Sequence, residues 1–299
     1  MQGTLYGVRL ASAGHSVTLI ARGRRSAELR SLGATIEHAL SGRRQVMQLP
    51  VAEELDADVH ADLCLVTVRR EQLDSVLPAL RAARGIGRVV FMVNHACGSG
   101  SLFSALERRR TVLGFPGAAG SIENGVDQYV EVAEQPTVIE ATAPDVAEVL
   151  RDADFRVSLV RDMDSWLRRH AVFVTAVSGA LYEVGSDAHR LSSDSARIRA
   201  FILAIREGWA AMDGQAIASA PLALRAIFRW VPLPFAVLYW KRLLASPRGE
   251  FYFARHTRHA AKEMAALAGD VRELVPNEAA PQLLRLYAAI DSAASELPR

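Results

Sequence analysis

A change of rhythm near residue 161 constrains this chain more than any other feature. Before it, short β-branched runs alternate with helix-patterned stretches; after it, the pattern is helical nearly to the end. Asp62–Val68 and Arg88–Val93 are almost continuously apolar, as expected of parallel strands covered on both faces. Shorter strand-like pieces lie at Ser16–Ala21, Thr111–Phe115, Gln128–Val132, Thr137–Glu140 and Phe155–Val160, with a weaker pair at Thr35–His38 and Arg44–Val51. Helical periodicity fills the intervals at Gly3–Ala13, Ser26–Ser31, Glu71–Ala83, Ser101–Arg109 and Pro144–Asp152. This alternation predicts a doubly wound parallel sheet. Asp164–Tyr182, Ser192–Met212, Gly249–Ala268 and Asn277–Ala294 predict an all-α second domain. The expected organisation is an α/β domain over residues 1–161 followed by a helical domain over 162–299.

Composition narrows the function classes. Of the 299 residues, 50% are apolar and 23% charged, which excludes a disordered or fibrous chain. The formal net charge of +2 argues for neither a nucleic acid nor a membrane as partner. Cys64 and Cys97 have no metal-ligand spacing and suggest no disulfide framework, so no metal and a reduced cytoplasmic compartment are expected. Arg9 interrupts the first apolar stretch, so it does not read as a signal peptide. Ala218–Ala245 is the most apolar later segment, but Arg225, Arg229, Lys241 and Arg242 interrupt it. It predicts a buried or partly buried helix pair broken around Pro232 and Pro234, not a membrane span. Lys241 and Lys262 are the only lysines among 35 basic residues, so roles that need a lysine have few places to go.

The front of the chain carries the first chemical signal. Gly3-Thr-Leu-Tyr-Gly-Val-Arg-Leu-Ala-Ser-Ala-Gly14 reads as the end of a Rossmann-type dinucleotide motif. Gly3 stands as its third glycine, then come a helix, a turn at Gly14 and the second strand. The strand then ends Ile20-Ala21-Arg22-Gly23-Arg24-Arg25, where an NAD site normally has an acid for the ribose hydroxyls. Three arginines there suit a 2′-phosphate, because guanidinium forks match phosphate oxygens. The alternative is a solvated basic loop in an arginine-rich chain.

With these residues in view, the chain resembles the ketopantoate reductase (2-dehydropantoate 2-reductase) family. Gly3–Arg22 is similar almost residue for residue to the family's G-S-L-Y-G-A-R-L-A-x-A-G-H-x-V-T-L-x-A-R segment. Val66-Thr67-Val68-Arg69-Arg70-Glu71-Gln72 resembles its V-T-V-K-x-x-Q, with Arg69 at the position of a cofactor-side lysine. Val93-Asn94-His95 resembles its Q-N-G, and keeps the asparagine that in the family lies between nicotinamide and substrate. The resemblance implies an NADP-binding Rossmann domain, a helical substrate domain, reduction of a 2-keto acid with a role in pantothenate biosynthesis, and cytoplasmic location. It implies Gly3, Thr4, Arg22, Arg24, Arg69, Gln72 and Asn94 as cofactor-binding residues.

The likeness thins in the second half. The family's helix W-x-K-x-x-x-N-x-x-x-N reads here Trp166-Leu-Arg168-Arg-His170-Ala-Val172-Phe-Val-Thr175-Ala176. Arg168 takes the place of the general-acid lysine, and the asparagine places hold Val172 and Ala176. Arginine is a poor proton donor but holds a carboxylate or oxyanion by charge and hydrogen bonds. The apolar replacements suggest a substrate less polar than ketopantoate. His170, two residues on, lies roughly 200° around the helix from Arg168. Ser246 resembles the family's late substrate-binding serine, while the glutamate eleven residues further falls on Thr257. His256 is then the first candidate proton donor and His170 the second.

The reading is an NADPH-dependent oxidoreductase reducing a small 2-keto acid or related carbonyl. Its catalytic candidates are Arg168, Asn94 and His256, and Arg168 and Ser246 would bind substrate. The partner expected is a small carbonyl substrate, with no nucleic acid or membrane; the apolar helices could pack a homodimer. A second reading is a catalytically retired reductase fold acting as a binding or scaffold module. A third is that the recorded start is late and upstream codons encode the first strand and G-x-G.

Overall fold

The protein, described here by a computed structural model, is placed over residues 1–213 and 222–296. It divides into two compact units, Met1–Val93 with Ser99–Arg161, and Asn94–Gly98 with Asp162–Arg299. The main division follows Arg161. The sequence reading differs in one respect: the loop Asn94–Gly98 groups with the helical unit.

In the first unit α1 (Gln2–Ser12) buries Leu5, Tyr6, Val8 and Leu10. Glycine at position 7 lets the helix close on the next strand, since a Cβ there would stand 2.7 Å from Leu19 Cδ2. There follow β1 (Leu19–Ile20), α2 (Gly23–Leu32), β2 (Ala34–His38), β3 (Arg44–Met47), β4 (Val51–Ala52), β5 (Ala61–Val66) and α3 (Leu73–Ala82). Then come β6 (Ile86–Phe91), α4 (Gly100–Ala105), β7 (Thr111–Phe115), β8 (Ala118–Glu123), β9 (Val126–Glu131), β10 (Thr137–Glu140), α5 (Pro144–Asp152) and β11 (Val157–Val160). The main sheet has the order β11-β10-β7-β6-β5 and is parallel except where β10 meets β7.

The parallel-rich α/β architecture is the one the alternation predicts, but the strands do not form one sheet. β9 pairs parallel with β2, Ile36 opposite Asp127, and so draws β2 and β3 into a separate mixed sheet of order β3-β2-β9-β8. β1 and β4 make a two-stranded parallel pair. Val90, Met92, Val112 and Ile139 pack with Leu5 and Tyr6 in the core, each contributing about 1.5–3 kcal/mol by leaving water. Tyr6 stacks on Phe155 at 4.2 Å and shares a 2.6 Å hydrogen bond with Thr137 Oγ1; burial pushes its phenol up to about 12. Arg9 of the same helix is structural. It donates to Glu131 Oε1 at 2.7 Å and lies 4.7 Å over the Phe155 ring.

The helical unit is built around α6 (Met163–Tyr182), whose first turn is capped by Asp162 accepting from the Ser165 N–H at 3.0 Å. It continues through α7 (Ala188–Ser193), α8 (Ser195–Asp213), α9 (Leu222–Arg225), a π-helical turn at Ala226–Trp230 and α10 (Leu233–Ala245). It ends with α11 (Pro247–Gly249), a second π-helical turn at Glu250–Ala254, α12 (Arg255–His259), α13 (Ala261–Leu274) and α14 (Pro281–Ser295). α6 packs on α8, α13 and α14. Gly179 permits the last contact, because a Cβ there would lie 2.7 Å from the Leu286 carbonyl oxygen. Phe173, Phe201, Phe228, Trp240 and Phe253 form a continuous aromatic cluster.

Of the apolar segment 218–245, residues 218–221 lie outside the described residues. The remainder is only half interior. Ala236, Trp240 and Leu244 of α10 are buried, while Phe235, Leu238 and Tyr239 are exposed. Among the described residues no helix is long and apolar enough to cross a membrane.

Candidate functional site

The first group of candidates gathers where α1 begins. Gly3 lies in its first turn, and a Cβ there would meet Thr67 Oγ1 at 2.9 Å, just past the end of β5. Glycine therefore lets the helix N-terminus and the strand end come together. Thr4 is buried, and its Oγ1 accepts from Arg25 Nη2 at 2.8 Å. Arg25 also bonds to the Gly125 carbonyl at 3.2 Å and makes a close ion pair with the fully buried Asp127. A buried carboxylate requires such a partner. Arg25 is thus structural, which corrects the reading of all three arginines as phosphate ligands. Arg22 and Arg24 face solvent instead: Arg22 precedes α2 in extended conformation, and Arg24 is 92% exposed, 3.4 Å from Glu28. Gln72 serves its own turn, its Oε1 accepting from the Arg69 N–H at 3.1 Å where the 3-10 turn Arg70–Gln72 starts.

The second group lies in the helical unit. The Asn94–Gly98 loop is anchored by the Ala96 N–H donating to Asp270 Oδ2 at 3.2 Å. Asn94 Oδ1 is sealed from solvent and has no hydrogen-bond partner among the described residues. Gly98 adopts φ +87°, a region that favours glycine, and a Cβ there would lie 2.8 Å from Arg168 Nη2. The structure therefore brings Arg168 against the loop that Asn94 opens. Arg168 is half-buried, and its Nε is enclosed without a partner among the described residues. A guanidinium so placed, with no anion to balance it among the described residues, has N–H donors that can receive one.

The remaining candidates fall elsewhere. Ser246, at the end of α10, donates its hydroxyl to the Leu243 carbonyl at 2.6 Å. His256 Nε2 stands 3.8 Å from Oε2 of the buried Glu263, and the next residue's carbonyl accepts from Tyr182 OH at 2.8 Å. Burial, and then the Glu263 carboxylate, raise the Tyr182 hydroxyl well above the ordinary phenol range. No hydrogen bond or ion pair joins Ser246 or His256 to Arg168 among the described residues. Thr257, at the family's glutamate position, is buried and bonds to the Phe253 carbonyl.

His170 is removed from the proton donors. It is buried, stacked on Trp166 at 5.0 Å and edge-on to Phe173, and burial pushes its imidazole down to about 3. Folding thus holds it neutral where the unfolded chain, with its ordinary value of 6.5, takes a proton. Stability from this residue is complete above pH 6.5 and is lost as the pH falls towards 3. The loss should reach about 1.4 kcal/mol per pH unit. Denaturant melts across that range should show the slope in the parent chain and a flatter one in His170→Phe; equal slopes would refute it.

Val172 and Ala176 are also corrected. Both are fully buried core residues, and a Cβ on Gly208 would lie 2.8 Å from Val172 Cγ1. Their apolar character completes a helix contact and says nothing of the substrate. Sequence reasoning missed Asp270, the anchor of the loop. No local signal marks it, since its partner lies 174 residues away.

The chain thus has a parallel-rich α/β unit and a helical unit whose Arg168 has no anionic partner among the described residues. Residues 2–143, nearly half of the chain, match the family described as "Ketopantoate reductase PanE/ApbA". Solved structures agree over almost the whole length. A ternary structure of D-mandelate dehydrogenase with NADH and anilino(oxo)acetate is 13% identical, covering 98% of this chain and 95% of that one, with a TM-score of 0.76. A 2-dehydropantoate 2-reductase from Geobacter metallireducens GS-15 is 12% identical over 96% and 95%, TM-score 0.73. A PanE/ApbA family ketopantoate reductase from Ralstonia eutropha JMP134 is 18% identical over 97% and 94%, TM-score 0.72. No curated protein sequence matches. The chain shares the fold of these dehydrogenases and reductases.

Proposed function

We propose that the protein is an NADPH-dependent reductase that converts a small 2-keto acid or related carbonyl to the alcohol. The observation that carries this reading is Arg168, a half-buried guanidinium without an anionic partner among the described residues, on the helix where the resemblance expects a catalytic cation. Anilino(oxo)acetate, held by the mandelate dehydrogenase of the same fold, is a 2-oxo acid derivative of the kind such a cation would receive.

The residues present fit a nicotinamide dinucleotide. Arg22 and Arg24 stand open to solvent after β1, and no acid occupies residues 21–25, so the 2′-phosphate of NADP is favoured over a bare ribose. Gly3 and Arg69 flank the start of α1 and the end of β5, on the pyrophosphate side. Bound NADPH supplies a hydride to the carbonyl carbon. Arg168 holds the carboxylate or the developing alkoxide oxygen by charge and paired N–H donors. Asn94 offers its unpaired Oδ1 to an N–H or O–H of the bound molecules. The proton that completes the alcohol comes from solvent, since His256 lies away from Arg168, beside Glu263.

Titration with NADPH and then NADH tests the cofactor. NADPH should bind at least tenfold more tightly, and Arg22→Ala with Arg24→Ala should abolish that preference while leaving NADH affinity unchanged. Equal affinities in the parent chain would overturn the choice of NADP. A retired scaffold on the same fold is the second reading, favoured by the departures from the family pattern at Arg168, in place of lysine, and at Thr257, in place of glutamate. It predicts that neither cofactor binds.

A further inference from the structure

The helical unit carries a surface that the reductase reading does not use. Phe235, Leu238, Tyr239 and Arg242 recur at i, i+3, i+4 and i+7, which places them on one stripe of α10. The opposite face, Ala236, Trp240 and Leu244, is already buried in the core. A solvated helix puts polar side chains on such an outer stripe; here Phe235 is 65% exposed and is followed by Leu238 and Tyr239. Trp230, in the turn before α10, adds a ring that is 61% exposed, with Arg225 5.5 Å from its centroid. An apolar helix stripe left this exposed marks a surface for an occupant.

Charge says which. Between Asp213 and Glu250 the chain has no acid and five cations, Arg225, Arg229, Lys241, Arg242 and Arg248. Arg229 is balanced by Asp213 at 3.1 Å, whereas Lys241 and Arg242 have no anionic partner among the described residues. A two-fold contact through this stripe would set these cations against their own copies. An anionic bilayer surface would attract them while receiving the aromatic rings at headgroup depth, where tryptophan and tyrosine are favoured. We infer that the outer face of α10, with Trp230, docks in the plane of an anionic lipid surface, the helix lying on the membrane without crossing it. The whole-chain charge of +2 conceals this because the acids lie elsewhere in the chain.

The test uses the full chain and vesicles of phosphatidylcholine with or without phosphatidylglycerol. The chain should float with the anionic vesicles, less so with the neutral ones, and less as salt rises. Trp166, Trp209 and Trp240 are buried, so a blue shift of emission on binding should arise from Trp230 and vanish in Trp230→Phe, which still floats. Arg242→Ala should weaken partition about fivefold. The triple change of Phe235, Leu238 and Tyr239 to serine should abolish flotation with unchanged circular dichroism, since all three side chains are exposed. Absence of flotation from anionic vesicles would overturn the proposal. So would a dimer, seen by sedimentation equilibrium, that the triple change dissociates, because a second copy would then cover the face. None of these readouts depends on cofactor binding or turnover.

Discussion

Replacing Arg168 with alanine is expected to lower keto-acid reduction by about 10²–10³-fold, the loss that follows removal of one preorganised donor to a developing oxyanion. NADPH affinity should not change. Stability should not fall either, which separates this residue from an ordinary buried charge. Arg168 is half-buried with no partner among the described residues, so its removal relieves an uncompensated cation and breaks no ion pair. Arg168→Lys keeps the charge and adds a group able to give up a proton, but loses the planar fork. It should recover more activity than alanine, with a raised KM. The check is steady-state kinetics beside denaturant melts on the same preparations. Unchanged turnover in Arg168→Ala would remove this residue from the reaction and with it the proposed mode of substrate binding.

The second large effect concerns stability. Trp240→Ala should destabilise the helical unit by about 3–5 kcal/mol, because the cavity opens at the centre of the aromatic cluster. Trp240 is fully buried, with Phe201 at 5.3 Å, Phe253 at 5.6 Å, and Phe173 and Phe228 each at 5.9 Å between ring centroids. Its indole N–H has no partner among the described residues. Trp240→Phe should therefore cost less than about 1.5 kcal/mol, since it keeps a ring and removes an unsatisfied donor. Thermal and urea unfolding should rank the two variants widely apart. Similar losses for both would mean that the N–H, or the full indole width, matters more than the packing described here.

How far the sequence discloses this molecule depends on whether a feature is local. The strand runs at Asp62–Val68 and Arg88–Val93 overlap β5 and β6, each displaced by one or two residues, and the helical rhythm after residue 161 contains α6 to α14, because periodicity is set by neighbours along the chain. The pairing of β2 with β9 is not local, and neither is its effect on the sheet. Arg22, Arg24 and Arg25 look alike in sequence; only the distant, buried Asp127 turns the third one inward. Helical phase correctly sets His170 away from Arg168, since that needs only an angle per residue. The meaning of Val172 could not be read, because it depends on Gly208 of α8 lying against it. Asn94 and Arg168 are singled out by resemblance, whereas Asp270, which anchors the intervening loop, carries no signature. The apolar segment 218–245 predicts a buried or partly buried helix pair, and the outer stripe of α10 is exposed, since composition does not say which face is covered.

The excursion of Asn94–Gly98 into the helical unit also bears on the order in which the chain matures. The contact that fixes it, Ala96 to Asp270, spans 174 residues. During synthesis the loop leaves the ribosome long before its anchor exists, so β6 and α4 are made on either side of a segment that waits for α13. Closing so long a span is entropically slow. The helical unit is therefore not a module that can be cut at Arg161 and studied by itself: a fragment beginning at Asp162 lacks the five residues on which its own Asp270 closes. Truncation at that position should leave the carboxylate without its amide, and the nascent chain should acquire its final protease resistance only after residue 270 has emerged.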